Sequence, residues 1–133
     1  DPVICDERSL LNAHLSLQGI QILSGDYHGV LHVNAERDDF VFLDPPYHPE
    51  DLDNDDYLYS QFRFGVRDQI NLRIEFERLL SIGCKVVMTN SNTGFIRDLY
   101  HGFDQIVVDS CRRINSKTSS RKGEDLIIVP RKR

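Results

Sequence analysis

Phe40-Val41-Phe42-Leu43-Asp44-Pro45-Pro46-Tyr47 is the stretch on which the reading of this 133-residue chain turns. Four apolar residues rich in strand formers are followed by an acid, two prolines and an aromatic. A residue that precedes proline is pushed toward extended geometry, so Asp44 continues the strand and does not curl into a helix. Pro45 is fixed in φ and is itself followed by a proline, so it too stays extended. One carboxylate, one backbone carbonyl and one ring are therefore held at a strand's carboxyl end, the place where open α/β sheets bind ligands.

The Asp44 carboxylate and the Pro45 carbonyl make a fixed pair of acceptors, and Tyr47 offers a flat face beside them. Two acceptors next to a ring suit an exocyclic amino group on a planar base. Accepting a hydrogen bond from each N–H favours a more tetrahedral nitrogen and frees its lone pair, which is electrostatic help at the point where charge develops. Stacking on a base is worth roughly 1–3 kcal/mol in nucleic-acid systems. The plainer reading is a loop start with Asp44 capping a turn. The apolar run before the motif and the aromatic after it favour the functional one.

Working outward, Asp6 or Ser9 caps a first helix carrying Leu10, Leu11, Ala13, His14 and Leu17, which Gly19 ends. Ile20 to Leu23 reads as a short strand, and Ser24-Gly25-Asp26 turns the chain into a helical stretch over Tyr27 to Val33. Beyond the motif, His48 to Gly65 is long, acidic and polar, with Tyr57, Tyr59, Phe62 and Phe64 adding aromatic content; loops of this length are usually functional or mobile. Its cluster of Asp51, Asp53, Asp55 and Asp56 lacks the Gly and Glu of an EF-hand, so no metal is expected. Arg67 to Leu80 is the clearest helix, with Ile70, Ile74, Phe76, Leu79 and Leu80 on its apolar face and Gly83 as its stop. Lys85 to Thr89 is a strand, Asn90 to Thr93 breaks into a helix over Phe95 to Tyr100, and Gln105 to Val108 and Leu126 to Val129 are strands flanking a polar, basic segment. Strands alternating with helices predict an α/β fold with a largely parallel sheet, and the last two strands, with no helix between them, read as an antiparallel pair.

Composition is that of a soluble globular chain, 40% hydrophobic and 28% charged, with no apolar run of membrane-spanning length. Three isolated cysteines, Cys5, Cys84 and Cys111, have no metal-ligand spacing and fit a reducing, cytoplasmic setting, with Cys84 a core residue. The net charge of −5 hides an asymmetry: residues 1–66 carry 13 acids and 3 bases, whereas residues 67–133 carry 8 acids and 13 bases. The basic C-terminal stretch is a candidate polyanion contact, set against the alternative of a solvated tail.

The octapeptide resembles the catalytic motif of S-adenosylmethionine-dependent amino methyltransferases, and Asp in the first motif position resembles the adenine-N6 DNA enzymes among them. The resemblance runs nearly end to end. Ser24-Gly25-Asp26-Tyr27, 18 residues before Asp44, is similar to the segment that contacts the cofactor's adenine. Asp68-Gln69 with Leu72 resembles the start of the helix after the catalytic loop, and Val86 to Ser91 the strand whose end lines the target-base pocket. Arg112 to Ser116, then Ser119 to Arg121, Glu124 and Leu126 to Ile128, resemble the closing hairpin. The ordered set is similar to the Dam-like, D12-class adenine methylases of bacteria and phages. The resemblance implies the C-terminal part of a Rossmann-like methyltransferase sheet, mostly parallel with a terminal antiparallel hairpin. It implies double-stranded DNA as substrate and S-adenosylmethionine as cofactor. It implies catalysis by Asp44, Pro45, Pro46 and Tyr47, cofactor contact by Asp26, Tyr27 and Asp44, and DNA contact by Asn90, Arg112, Arg113, Asn115, Lys117 and Arg121.

The chain also departs from the family. A Phe-x-Gly-x-Gly cofactor loop, the acid that binds the cofactor ribose and the segment that reads target sequence are not among these residues. The expectation is a single catalytic-domain fragment over 1–133, completed by an N-terminal half or by a complementing chain and inactive alone. The alternatives are a guanine-N2 ribosomal RNA methylase, since some carry a similar motif, and a non-catalytic remnant that only binds DNA.

Overall fold

The run at 40–43 forms the first strand, β1 (Phe40–Leu43), of a four-stranded sheet. The computed structural model describes residues 6–49, 64–111 and 122–131. In chain order the elements are α1 (Glu7–Ser16), α2 (Tyr27–Asn34), β1, α3 (Val66–Ile82), β2 (Lys85–Ser91), α4 (Gly94–Leu99), β3 (Asp104–Cys111) and β4 (Lys122–Val129). The sheet order is β1-β2-β4-β3. β1 pairs with β2 in parallel, with α3 as the crossover, and β4 lies antiparallel to both β2 and β3. The α/β class and the terminal antiparallel hairpin are as the sequence predicts. The hairpin strands are longer than their apolar cores, because backbone pairing continues through polar residues such as Asp109 and Glu124.

Helix ends follow local chemistry. Asp6, not Ser9, caps α1, its carboxylate accepting from the backbone N–H groups of Arg8 and Ser9 at 3.1 and 3.2 Å. At α3 the Asp68 carboxylate reaches back to the Gly65 N–H at 2.8 Å. Gly83 ends α3 at φ 96°, a left-handed conformation that a side chain would strain. A Cβ there would also lie 3.1 Å from the Arg37 side chain. The turn before β1 docks on the same place, with the Asp38 N–H donating to the Gly83 carbonyl and the Lys85 N–H to the Asp39 carbonyl.

The core lies between the sheet and α3. Val86 and Met88 of β2 and Leu126 and Ile128 of β4 meet Leu72, Phe76 and Leu79 of α3, with Ile96 and Tyr100 closing one end. Phe76 packs edge-on against Tyr100 and Phe103. Each such side chain contributes about 1.5–3 kcal/mol when fully buried. Two expectations are corrected here. The inward stripe of α3 is Gln69, Leu72, Glu75, Phe76 and Leu79, whereas Ile70 and Ile74 are exposed. Helical periodicity locates a face but cannot distinguish a partnered buried polar group from an exposed one. Residues 20–23 form no strand: Ile22 is 87% exposed, and no described strand lies beside it.

Among the described residues no helix is long and apolar enough to cross a membrane. None of their His, Cys, Asp and Glu side chains form a group of three or more placed to hold a metal ion. The aspartate cluster at 51–56 and the aromatics at 57–62 lie outside the described residues.

Candidate active site

The parallel register decides the geometry. Leu43 lies opposite Met88, so the next residues along the two strands, Asp44 and Thr89, emerge side by side at the sheet's carboxyl edge. The Thr89 hydroxyl donates to Oδ1 of Asp44 at 2.6 Å. Asp44 is otherwise solvent-exposed. Tyr47 stands beside them, 37% exposed. Burial pushes its phenol above the ordinary range, a hydrogen bond with Thr89 opposes this, and the Asp44 and Asp125 charges add to the rise. Asp44, Thr89 and Tyr47 thus form one cluster, of which Thr89 is the member sequence reasoning missed.

The backbone around Tyr47 is anchored from below. The Gln69 side-chain N–H donates to the Pro46 carbonyl at 2.9 Å. Oδ1 of Asn90 accepts from the His48 N–H at 3.0 Å, and the Ser91 hydroxyl donates to the His48 carbonyl. The two amides are joined, Nδ2 of Asn90 donating to Oε1 of Gln69 at 3.0 Å. The His48 ring lies against Phe95, with centroids 4.7 Å apart, and its Nδ1 is 3.2 Å from the Thr93 hydroxyl. Burial lowers the His48 pKa from its ordinary 6.5.

Asp44, Pro45 and Pro46 line a cavity of about 490 Å³ together with Asp26, Tyr27 and Leu31. Two segments 18 residues apart in sequence therefore face one space. Asp26 is also the N-cap of α2, accepting from the His28 N–H at 2.9 Å, so its helix-starting role and its place in the cavity coexist. Tyr27 is tilted against Phe64, with ring centroids 6.2 Å apart. Burial raises its phenol pKa, as do the carboxylates of Asp26, Asp68 and Glu75. An adjoining cavity of about 300 Å³ shares Asp26 and Tyr27 and adds His28, Asp68, Asn71 and Glu75.

The model of the D12 class N6 adenine-specific DNA methyltransferase family matches residues 3–114. The chain belongs to this class. It is 34% identical over 123 residues to the Type II methyltransferase M.MjaIII of Methanocaldococcus jannaschii, covering 92% of this chain and 42% of that protein. It is 32% identical over 131 residues to the Type II methyltransferase M1.LlaDCHI of Lactococcus lactis subsp. cremoris, covering 97% of this chain and 46% of that protein. A DNA N-6-adenine-methyltransferase of Escherichia phage P1 is 31% identical over 114 residues, 84% of this chain and 15% of that protein. The chain thus spans less than half the length of these curated relatives.

For this D12-class chain, the remaining predicted residues fall in two places. Asn90 is fully buried beneath the motif loop, with its amide spent on His48, Ser91 and Gln69, so in this conformation it faces no surface. Arg112, Arg113, Asn115, Lys117 and Arg121 lie outside the described residues. Two signals in the sequence could have found the buried struts. Asn90 follows Val86 and Met88 in the inward register of β2, and Gln69 precedes Leu72, Phe76 and Leu79 at helical spacing. A polar residue on an inward register implies a buried hydrogen-bond partner.

Proposed function

We propose that this chain is the catalytic C-terminal part of an S-adenosylmethionine-dependent, site-specific DNA adenine-N6 methyltransferase. One observation carries the reading: Asp44 and Pro45 line the same cavity as Asp26 and Tyr27. The cavity's volume of about 490 Å³ falls in the range of small-molecule sites. Its Tyr27 ring and apolar wall suit a purine, and the carboxylates of Asp26 and Asp44 suit the ammonium and sulfonium charges of S-adenosylmethionine. When bound, that cofactor supplies an electrophilic methyl group.

The chain's own residues then do the following. Thr89 holds one oxygen of Asp44 and leaves the other to accept an N6–H of the target adenine. The Pro45 carbonyl accepts the second N6–H. Tyr47 stacks on the base, which must leave the duplex at a cost of a few kcal/mol. Held by Asp26, Tyr27 and Asp44, S-adenosylmethionine would supply the methyl group that N6 takes up, and the Asp44 carboxylate would accept the proton that N6 gives up. No covalent enzyme intermediate is needed, so positioning carries much of the rate. Arg112, Arg113, Asn115, Lys117 and Arg121 are assigned to the DNA backbone, and Pro46 to holding the motif extended.

The Gly-rich cofactor loop and the target-reading segment, absent from these 133 residues, are assigned to further sequence of the same protein or to a complementing chain. The chain alone is then inactive. The Type II names of two relatives support a restriction–modification role, and a DNA substrate together with a free, buried Cys84 fits the cytoplasm. The class match favours this reading over guanine-N2 methylation of RNA.

The test is Asp44→Ala in the full protein, scored by labelled methyl incorporation into double-stranded DNA and into RNA. Loss of DNA methylation with an unchanged thermal transition is expected. Wild-type turnover in the variant, or label entering RNA alone, would sink the assignment.

A further inference from the structure

The two buried amides under the motif loop have no place in the chemistry above, and their geometry gives them one. We infer that Gln69 and Asn90 are positioning residues that set the backbone on both sides of Tyr47, and through it the stacking ring. The inference rests on the proposed function for its catalytic consequence, but its structural part stands without it.

Gln69 is 1% exposed and Asn90 is fully buried, on elements that otherwise supply apolar core. Buried amides are costly unless every polar atom is partnered, and these are. Gln69 donates to the Pro46 carbonyl and accepts from Asn90. Asn90 accepts from the N–H groups of His48 and Ser91 and donates to Gln69. The chain of bonds therefore grips the residue before Tyr47 and the residue after it. The two prolines bring no N–H of their own, so this loop has few means of self-anchoring. The amides supply the missing anchors from α3 and β2, two elements fixed by the core. A fully satisfied buried polar network selects a single local conformation. The ring is thereby placed before any base arrives, which is where rate is gained in a reaction that runs on orientation.

The direction of each bond makes the role testable. The Pro46 carbonyl can only accept, so position 69 must donate. Gln69→Glu has the same shape and can still accept from Asn90, but it donates to Pro46 only when protonated. In the full protein, kcat should fall by about 10²-fold in Gln69→Ala, with KM for DNA changed much less. Gln69→Glu should be as impaired at neutral pH and recover toward wild type as pH falls, while Gln69→Ala does not recover. In Asn90→Ala, amide hydrogen exchange should show diminished protection at the His48 N–H. Wild-type kcat in Gln69→Ala would overturn the inference. Identical pH profiles for Gln69→Ala and Gln69→Glu would do so as well, and so would retained His48 protection in Asn90→Ala. If the wild-type protein methylates no DNA, the proposed function fails, while the exchange measurement still decides the anchoring.

Discussion

The hydroxyl of Thr89 donates a 2.6 Å hydrogen bond to Oδ1 of Asp44 across the parallel pair β1–β2. A short bond to a carboxylate from a residue on a central strand fixes the rotamer of the acid. The acid that the sequence singles out is thus aimed by a residue 45 positions further along the chain.

Replacing Thr89 by valine keeps the shape and removes the donor. We expect Thr89→Val to lower kcat by roughly 10-fold or more, in line with the sensitivity of orientation-dependent catalysis. Thr89→Ser, which keeps the hydroxyl, should recover most of it. Single-turnover methylation at saturating DNA and cofactor separates the two variants. Equal rates for the valine and serine forms would argue against the aiming role.

His48 sets a pH dependence of stability. Its folded pKa is lowered, chiefly by burial, from an ordinary value of 6.5. Between the lowered value and 6.5 the unfolded chain binds more protons than the folded one, so stability rises with pH through that window and is lost as pH falls below about 6.5. Urea midpoints measured from about pH 5 to 7.5 should show this fall in the wild type and a shallower one in His48→Gln.

Tyr100 is fully buried, and its hydroxyl has no hydrogen-bond partner among the described residues. Burial also pushes its phenol far above the ordinary range. An unpartnered buried hydroxyl costs about 1–3 kcal/mol. Tyr100→Phe keeps the edge-on packing with Phe76 and removes that cost. Its thermal midpoint should equal or exceed that of the wild type; a clear drop would mean that the hydroxyl has a partner in solution.

Neutralising Arg112 and Arg113 in the full protein should weaken DNA binding and reduce the slope of log K against log salt by about one unit for each phosphate no longer neutralised. Fluorescence anisotropy across a salt series reads the slope directly. An unchanged slope would assign these arginines to plain surface charge.

Much of this was legible in the chain itself. The octapeptide gave a strand and its rigid end because proline chemistry acts locally. Gly83 gave the stop of α3 for the same reason. The resemblance groups Asp26 and Tyr27 with Asp44, and the three line one cavity. What the chain hid was lateral. Thr89 matters only through strand register, and Gln69 and Asn90 only through a helix and strand meeting under a loop. Ile20 to Leu23 has a strand's composition but no described strand beside it, and β propensity is mostly a statement about neighbours.

β1 sits at one end of the sheet order, and Phe40 and Phe42 are 67% and 56% exposed. Among the described residues no strand pairs with the outer side of β1, and such a sheet edge is a template for another strand. The consequence is colloidal. Prepared by itself, this stretch of polypeptide should become turbid as it is concentrated, through the outer side of β1, and Phe40→Lys should keep it clear.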